Sequence, residues 1–361
     1  MASTADARGA NTAANIVEVR DLRTYFATDD GMLKAVDGVS FSIAPHRTLA
    51  VIGESGCGKS VTARSLMRIV PKPGRIVSGQ LLFRRPTDSK NDAQSLPTVD
   101  LAQLPANGDA IRRIRGRDIA MIFQEPMTSL SPVHSVGNQI MEALLLHRTR
   151  DKREARAIAI DMLARVGIAN PSHRIDEYPH QLSGGMRQRV MIAMALCCHP
   201  ALLIADEPTT ALDVTVQAQI IELMKRLQAE EGTAIQYITH DLGVVAEVAD
   251  EVIVMYLGRV VESGSVRQIF HNPLHPYTRR LLDSTPRLGS RHRRLEAIPG
   301  TVSVPLDPPP RCGFVDRCTL SMAGKCDAAI PALVEMEAGH SVRCFLHGDA
   351  IESPVDIAEV A

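Results

Sequence analysis

The octet Gly53-Glu54-Ser55-Gly56-Cys57-Gly58-Lys59-Ser60 constrains this chain more than any other stretch of it. Its spacing is that of a loop that cradles phosphates. Such a loop works only between a strand and a helix, because its backbone N–H groups must turn inward and the helix must add its positive N-terminal end. Both flanks comply: residues 48–52 are a short apolar run of the buried-strand type, and residues 60–70 keep helical spacing until Pro71 stops them. Gly53, Glu54, Ser55, Gly56, Cys57, Gly58, Lys59, Ser60 and Val61 are the expected nucleotide-binding residues, with Lys59 reaching the β and γ phosphates and Ser60 ligating Mg²⁺. Cys57, beside Lys59 at the helix start, is either a thiol of lowered pKa or a small loop residue.

A second constraint lies at residues 201–207, where an apolar strand ends in Asp206 and Glu207. Magnesium needs hard oxygen ligands, so one carboxylate is assigned to the metal (Asp206) and the next to deprotonating the attacking water (Glu207). The blander alternative is two acids capping the turn at Pro208. His240 follows a strand over residues 235–239 and is placed for a γ-phosphate contact. Gln124 follows a strand over 119–123, where its amide either ligates Mg²⁺ and positions water or is a plain turn residue. Leu182-Ser183-Gly184-Gly185-Met186-Arg187-Gln188 opens a further helix, and Ser183 with the two glycines makes another anion site. One nucleotide does not need two such helix starts. The second therefore closes over the nucleotide of another subunit, and hydrolysis requires a dimer.

Around this frame, residues 16–43 read as antiparallel strands about an Asp29-Asp30-Gly31 turn, and residues 84–109 as a polar surface insertion punctuated by prolines. Apolar spacing of three and four over residues 136–166 predicts two helices, with a third from Met186 to Cys198, giving a helical subdomain at about 125–195. Strands alternating with helices imply a parallel sheet covered on both faces. Past Pro273 the chain becomes rich in Pro, Arg and then Cys, marking a second unit. Residues 1–15 are small and polar and expected to fray; they carry no secretory h-region, and the longest apolar stretch, residues 190–198, is far short of the roughly 20 residues of a membrane span. These features give the expectation of a cytosolic protein. Forty basic against 41 acidic residues leave a charge of −1, and with no Trp and 3% aromatic residues there is neither a global attraction for nucleic acid nor a base-stacking surface.

Taken in order, the octet, Gln124, the Leu182–Gln188 run, Asp206-Glu207, Ala211-Leu212-Asp213 and His240 resemble the ATP-binding domain of ABC proteins over residues 16–270. Gln124-Glu125-Pro126-Met127-Thr128-Ser129-Leu130-Ser131-Pro132, His271-Asn272-Pro273-Leu274-His275-Pro276-Tyr277-Thr278 and the C-terminal cysteines make the chain similar to the ATPase subunits of bacterial dipeptide and oligopeptide importers. That resemblance implies an α/β fold, a P-loop NTPase core with an antiparallel β subdomain and a helical subdomain, followed by a small Cys-rich extension over residues 271–361. It implies ATP and Mg²⁺, hydrolysis by Glu207, His240 and Gln124, and Mg²⁺ held by Ser60, Gln124 and Asp206. Phe26 would stack on adenine rather than Tyr25, because adjacent strand residues face opposite ways. Ser183, Gly184, Gly185 and Gln188 would meet the partner's ATP, and Asp213 would lie at the dimer seam.

The implied partners are two transmembrane permease subunits, a second ATPase subunit that is a copy or a paralogue, and an extracytoplasmic solute-binding protein reached through the complex; nucleic acid is not among them. Residues from Gln124 to about Val166 would receive a permease helix, at the cytoplasmic face of a bacterial inner membrane. The solute stays open among dipeptides, longer peptides, nickel chelates and opine-like compounds. The rival is a non-transport ABC ATPase acting on DNA or ribosomes. Against it stand a single P-loop and a short stretch without heptads between Gln124 and Ser183.

Cys312, Cys318, Cys326 and Cys344 lack the C-x₂-C pairs of zinc ribbons, and four thiolates suit a [4Fe–4S] cluster or tetrahedral Zn²⁺ equally well in number. The family's Cys-rich extension is linked to an iron–sulfur cluster in some members, which makes that cluster the expectation, with zinc or reduced structural thiols as alternatives. Arg291-His292-Arg293-Arg294 reads as a solvated basic arm or as a contact for anionic lipid or a permease loop, after which Pro308-Pro309-Pro310 forms a rigid linker.

Overall fold

A computed structural model describes residues 14–85, 98–124, 129–210, 212–284 and 305–352. Most of the expected frayed start, nearly all of the segment 86–99, residues 125–128 after Gln124, Ala211 and the basic run at 291–294 lie outside the described residues.

Three short runs, β3 (Thr48–Ile52), β7 (Leu202–Asp206) and β8 (Ala234–Ile238), are buried at every position. Strands covered on both faces have no polar side to show, which is why they read as continuous apolar runs. They form the centre of an eight-stranded sheet in the order β11 (Val334–Glu337), β12 (His340–Val342), β10 (Arg259–Ser265), β9 (Glu251–Tyr256), β3, β8, β7 and β6 (Ile119–Ile122). The pairs β3–β8, β3–β9, β6–β7 and β7–β8 are all parallel. Their carboxyl ends therefore point the same way, and a site gathers along that edge.

A separate four-stranded antiparallel sheet, β2-β1-β4-β5, packs beside it. It comprises β1 (Val17–Thr28), β2 (Gly31–Ile43), β4 (Gly74–Phe83) and β5 (Val99–Asp100). Phe83 pairs with Val99 and Leu82 with Asp100, so the ends of the polar insertion are drawn together at the sheet edge.

Three helices make the third layer: Val136–His147 capped by Ser135, Lys152–Arg165 capped by Asp151, and Gly184–Leu196 capped by Ser183. The last begins two residues before Met186, because the Ser183 hydroxyl accepts the Met186 N–H. Ile140, Leu144, Ala159, Leu163 and Val190 share one core with Leu203 and Tyr237 of the main sheet, so the helical layer is anchored to the strands that carry the acids.

The C-terminal chain is sewn onto this sheet. β10 (Arg259–Ser265) pairs with β12 (His340–Val342), which pairs with β11 (Val334–Glu337). Glu262 in β10 is fully buried; its carboxylate accepts the N–H of Leu274 at 2.7 Å and of His275 at 2.9 Å and faces His340 Nε2 at 2.9 Å. That one side chain fixes the turn of the His271–Thr278 run. Among the described residues no helix is long and apolar enough to cross a membrane.

Candidate functional site

The octet leaves β3 and enters the helix Lys59–Leu66. Gly58 sits at φ 100°, and a Cβ there would lie 2.2 Å from the Ala35 carbonyl oxygen; at Gly53, φ 148°, a Cβ would lie 2.3 Å from the Met255 carbonyl oxygen. Only glycine fits either position. Lys59 is buried, and its ammonium donates to the carbonyls of Gly53 at 2.7 Å and Glu54 at 3.0 Å, curling the loop over its own cation. Cys57 is buried too, and burial pushes its thiol up against the opposing pull of Lys59. The activated thiol that the helix start suggested is not what the structure holds.

At the end of β7, Asp206 is 2% exposed and accepts a hydrogen bond from Ser60 Oγ at 2.9 Å. Burial raises its pKa while Ser60 and nearby Arg64 lower it. A buried carboxylate touching a hydroxyl is a hard-oxygen pair of the kind Mg²⁺ takes, and Gln124 contributes an amide at the same edge. Glu207 follows at φ 48°, a left-handed backbone that a glutamate adopts only at a cost. Its N–H donates to the Ile238 carbonyl at 2.9 Å, extending the parallel pairing and fixing it against the end of β8. Its carboxylate accepts from Gln124 Nε2 at 3.1 Å and Thr210 Oγ1 at 3.0 Å, and His240 Nδ1 stands 3.4 Å away. The His240 ring is open to solvent. Gln124, Glu207 and His240 thus converge from the ends of three parallel strands.

Phe26, Leu33, Ala35, residues 55–61, Gln124 and Glu207 line one pocket of about 370 Å³. Phe26 faces it, whereas Tyr25 is turned to the other face of β1, where its hydroxyl donates to Asp37 at 2.6 Å. None of Ser183, Gly184 and Gly185 lines the pocket. Gly184 has open space where a side chain would be, and Gly185 lies against Val216, in the helix Val214–Glu231 that exposed Asp213 caps. Gln188 differs from its neighbours in the run: it is fully buried and donates its amide to the Pro208 carbonyl. It ties its helix to the loop after Glu207 and is buried within its own chain, whereas Gly184 in the same run has open space beside it.

The sequence model described as "ABC transporter" matches residues 36–210, and one described as "Oligopeptide/dipeptide transporter, C-terminal region" matches residues 261–326. The oligopeptide transport ATP-binding protein AppD of Bacillus subtilis is 48% identical over 335 residues, 92% of this chain and 97% of that one. The dipeptide transport ATP-binding protein DppD of the same organism is 46% identical over 341 residues, 94% and 97% of the two chains. The chain belongs to the family of ABC transporter ATP-binding subunits. Among solved structures, this ATPase subunit is similar to cbiO1 from Clostridium perfringens, part of the ABC transporter complex cbiONQ, with 28% identity, a TM-score of 0.56, and coverage of 72% of this chain and 91% of that one. The dimeric ATP-binding cassette MJ0796, 24% identical with a TM-score of 0.59 over 70% of this chain and 99% of that one, shares the fold.

The C-terminal chain of this ATPase subunit carries contacts that its sequence did not signal. Tyr277 receives the Glu54 N–H on its hydroxyl at 2.9 Å, and Arg317 grips the Glu54 carboxylate through both terminal nitrogens at 2.7 and 3.0 Å. Asp37 is buried among Arg23, Arg259 and Tyr25, and Glu352 reaches Arg259 and Arg343. The contacts of Glu54 with Tyr277 and Arg317, of Asp37 with Arg259 and of Glu352 with Arg259 join residues 93 to 263 positions apart, beyond any spacing rule. Cys312, Cys318, Cys326 and Cys344 are free thiols lining one small pocket. Burial and the neighbouring thiols push Cys312 up to about 11, and the Met322 N–H donates to Cys326 Sγ at 3.4 Å. Among the described residues, however, no group of three or more His, Cys, Asp or Glu side chains is arranged to hold a metal ion. Among the described residues the four thiols thus share a pocket without being drawn together as a coordination shell.

Proposed function

We propose that this subunit powers peptide import as one half of an ATPase dimer docked on two permease subunits, with a solute-binding protein delivering the peptide. The observation that carries the reading is Glu207, strained in backbone and held by Gln124, Thr210 and His240 at the edge of a phosphate pocket that its own signature run does not reach. Lys59 and the loop N–H groups bind the phosphates. Magnesium, when bound with ATP, neutralises charge between the β and γ phosphates. Ser60 and Asp206 have the oxygen donors to hold it, with Gln124 beside them. Glu207 takes the proton of the attacking water, Gln124 orients that water, and solvent-exposed His240 meets the γ-phosphate.

Ser183, Gly184 and Gly185 supply the second anion site to the partner's nucleotide, and exposed Asp213 lies near that seam. Closure of the dimer on ATP then drives the permease, and hydrolysis resets it. Peptide as the solute rests on AppD and DppD, and on the match of the C-terminal region. Exposed Val133 and Leu146 suit a permease helix at the helical layer, which supports a seat at the cytoplasmic face of the inner membrane.

For the four cysteines we propose an iron–sulfur cluster, with zinc as the alternative. The donors fit in kind: four soft, unpaired thiols on one pocket, one already accepting an N–H, as cluster sulfurs do. Anaerobically purified protein should then contain iron; protein with neither iron nor zinc excludes both. The import reading is tested by purifying tagged Glu207→Gln from native membranes with ATP present. Permease subunits and a second ATPase should come with it. Ribosomes or DNA-repair proteins without any membrane protein would overturn the transport reading.

A further inference from the structure

Glu54 is the second residue of the phosphate loop, and it is an acid in a loop built to attract anions. Although its place in the octet counts it among the nucleotide-binding residues, its side chain does not line the nucleotide pocket and points to the C-terminal region. There Arg317 meets it in a two-nitrogen grip, with the guanidinium side chain 8% exposed and the carboxylate 26% exposed. Arg317 is itself held in place: its Nη1 reaches the Tyr256 hydroxyl at 3.3 Å, and its guanidinium lies 5.9 Å from the centre of the Tyr256 ring. Tyr256, Tyr277 and Phe314 pack with ring centres 4.7–5.5 Å apart. From that nest the Tyr277 hydroxyl takes the Glu54 N–H. Two different elements of the C-terminal region therefore fasten one residue of the loop, by its carboxylate and by its backbone.

We infer that Arg317 is a positioning residue for nucleotide binding: it cancels the negative charge of Glu54 and pins the first limb of the phosphate loop, so the C-terminal region sets the affinity of the ATP site. The inference rests on the octet being the ATP site. Its physical core is simple. Without Arg317, an uncancelled carboxylate would remain in a loop that must receive about two net negative charges from MgATP, and at a dielectric near that of water and a distance of about 8 Å the two repulsions together weaken binding about five- to tenfold. A planar, permanently charged fork suits the task better than an ammonium, since it binds both carboxylate oxygens at once.

The experiment is equilibrium binding of MgATP to the full chain, with steady-state ATPase kinetics, for wild type, Arg317→Ala, Arg317→Lys, Glu54→Gln and the double variant Arg317→Ala/Glu54→Gln. Arg317→Ala should weaken ATP about five- to tenfold, raising KM with little change in kcat, and the loss should shrink at high salt. Arg317→Lys should fall between. The double variant should return to within about twofold of wild type, because the charge that needed cancelling is gone. A merely structural arginine predicts no such rescue, and lack of rescue overturns the inference, as does unchanged affinity in a folded Arg317→Ala. Should Arg317→Ala fail to fold, Glu54→Gln alone decides: affinity equal to or tighter than wild type supports charge cancellation, and a loss beyond about fivefold refutes it. Wild type that binds ATP no better than Lys59→Ala would fell the ATP-site reading itself, and this inference with it.

Discussion

Glu207 allows a test in which backbone and side chain make separate predictions. At φ 48° an L-residue carries about 1–2 kcal/mol of steric cost, from which glycine is exempt. Glycine repays part of that through the extra chain entropy it loses on folding, about 0.5–1 kcal/mol. Glu207→Ala and Glu207→Gly both delete the contacts to Gln124 at 3.1 Å and Thr210 at 3.0 Å, so their difference isolates the backbone. The glycine variant should be the more stable of the two by about 0.5–1 kcal/mol. Glu207→Gln keeps shape, backbone and an accepting oxygen, and should unfold within about 0.5 kcal/mol of wild type. In activity the three should agree. Each lacks the base, which is worth about 10²- to 10⁴-fold, or about 3–5 kcal/mol of barrier at 1.36 kcal/mol per tenfold. Urea unfolding of the nucleotide-free proteins reads the first comparison; phosphate release, with ATP binding as a control, reads the second. An alanine variant as stable as the glycine variant would refute stored strain. Turnover of Glu207→Gln within tenfold of wild type would refute the base.

Asp37→Ala should cost about 3–5 kcal/mol, because it leaves buried Arg23 and half-buried Arg259 without their shared carboxylate. Burial alone would raise the Asp37 pKa, but Arg259, Tyr25 and Arg23 outweigh it and hold it below the ordinary 3.8, so its stabilisation is complete above about pH 4 and is lost as acid protonates it. Thermal melts from pH 7 down to about 3 should show wild type losing stability faster than the variant at the acid end; parallel curves would contradict this. Gly58→Ala must force a Cβ against the Ala35 carbonyl at 2.2 Å and φ 100°, about 2–4 kcal/mol of strain, so ATP affinity should drop at least about 30-fold. Near-normal binding would mean that the loop is not held against β2.

What could be read in the sequence was whatever depends on local order. The octet, the apolar runs at 48–52 and 201–205 and the acids after the second of them are all spelled out by neighbours, and once the family resemblance offered Phe26, strand alternation turned Tyr25 the other way. Gln188 escaped because a residue on a glycine-opened helix faces outward or inward according to the helix's rotation, which the Pro208 carbonyl fixes and spacing does not. At Cys57 the structure agrees with the small loop residue rather than the activated thiol, for a related reason. Helix start and lysine lower a thiol's pKa, yet the fold buries the sulfur and burial wins. Thr210 lay in plain view three residues after Glu207, and a hydroxyl one turn from a candidate base is a signal worth following.

The long-range contacts change how the C-terminal region relates to the ATPase core. Glu262 ties β10 to the turn at residues 274–275 and to β12, while Asp37, Arg259, Glu352 and Arg343 tie β2 to β10 and to the chain's last described residues. Each tie is a buried or half-buried charge that is expensive to leave unpaired, so the pieces cannot separate singly at low cost. The same β2 carries Leu33 and Ala35, which wall the nucleotide pocket, and Ala35 abuts Gly58. A displacement of the C-terminal region large enough to break its ion pairs must therefore move either β2 or the phosphate loop. A Glu262→Ala chain that keeps its fold should accordingly bind ATP more weakly even though Glu262 lies outside the nucleotide pocket, and ATP should in turn stabilise wild type more than the variant, by the reciprocity of linked equilibria.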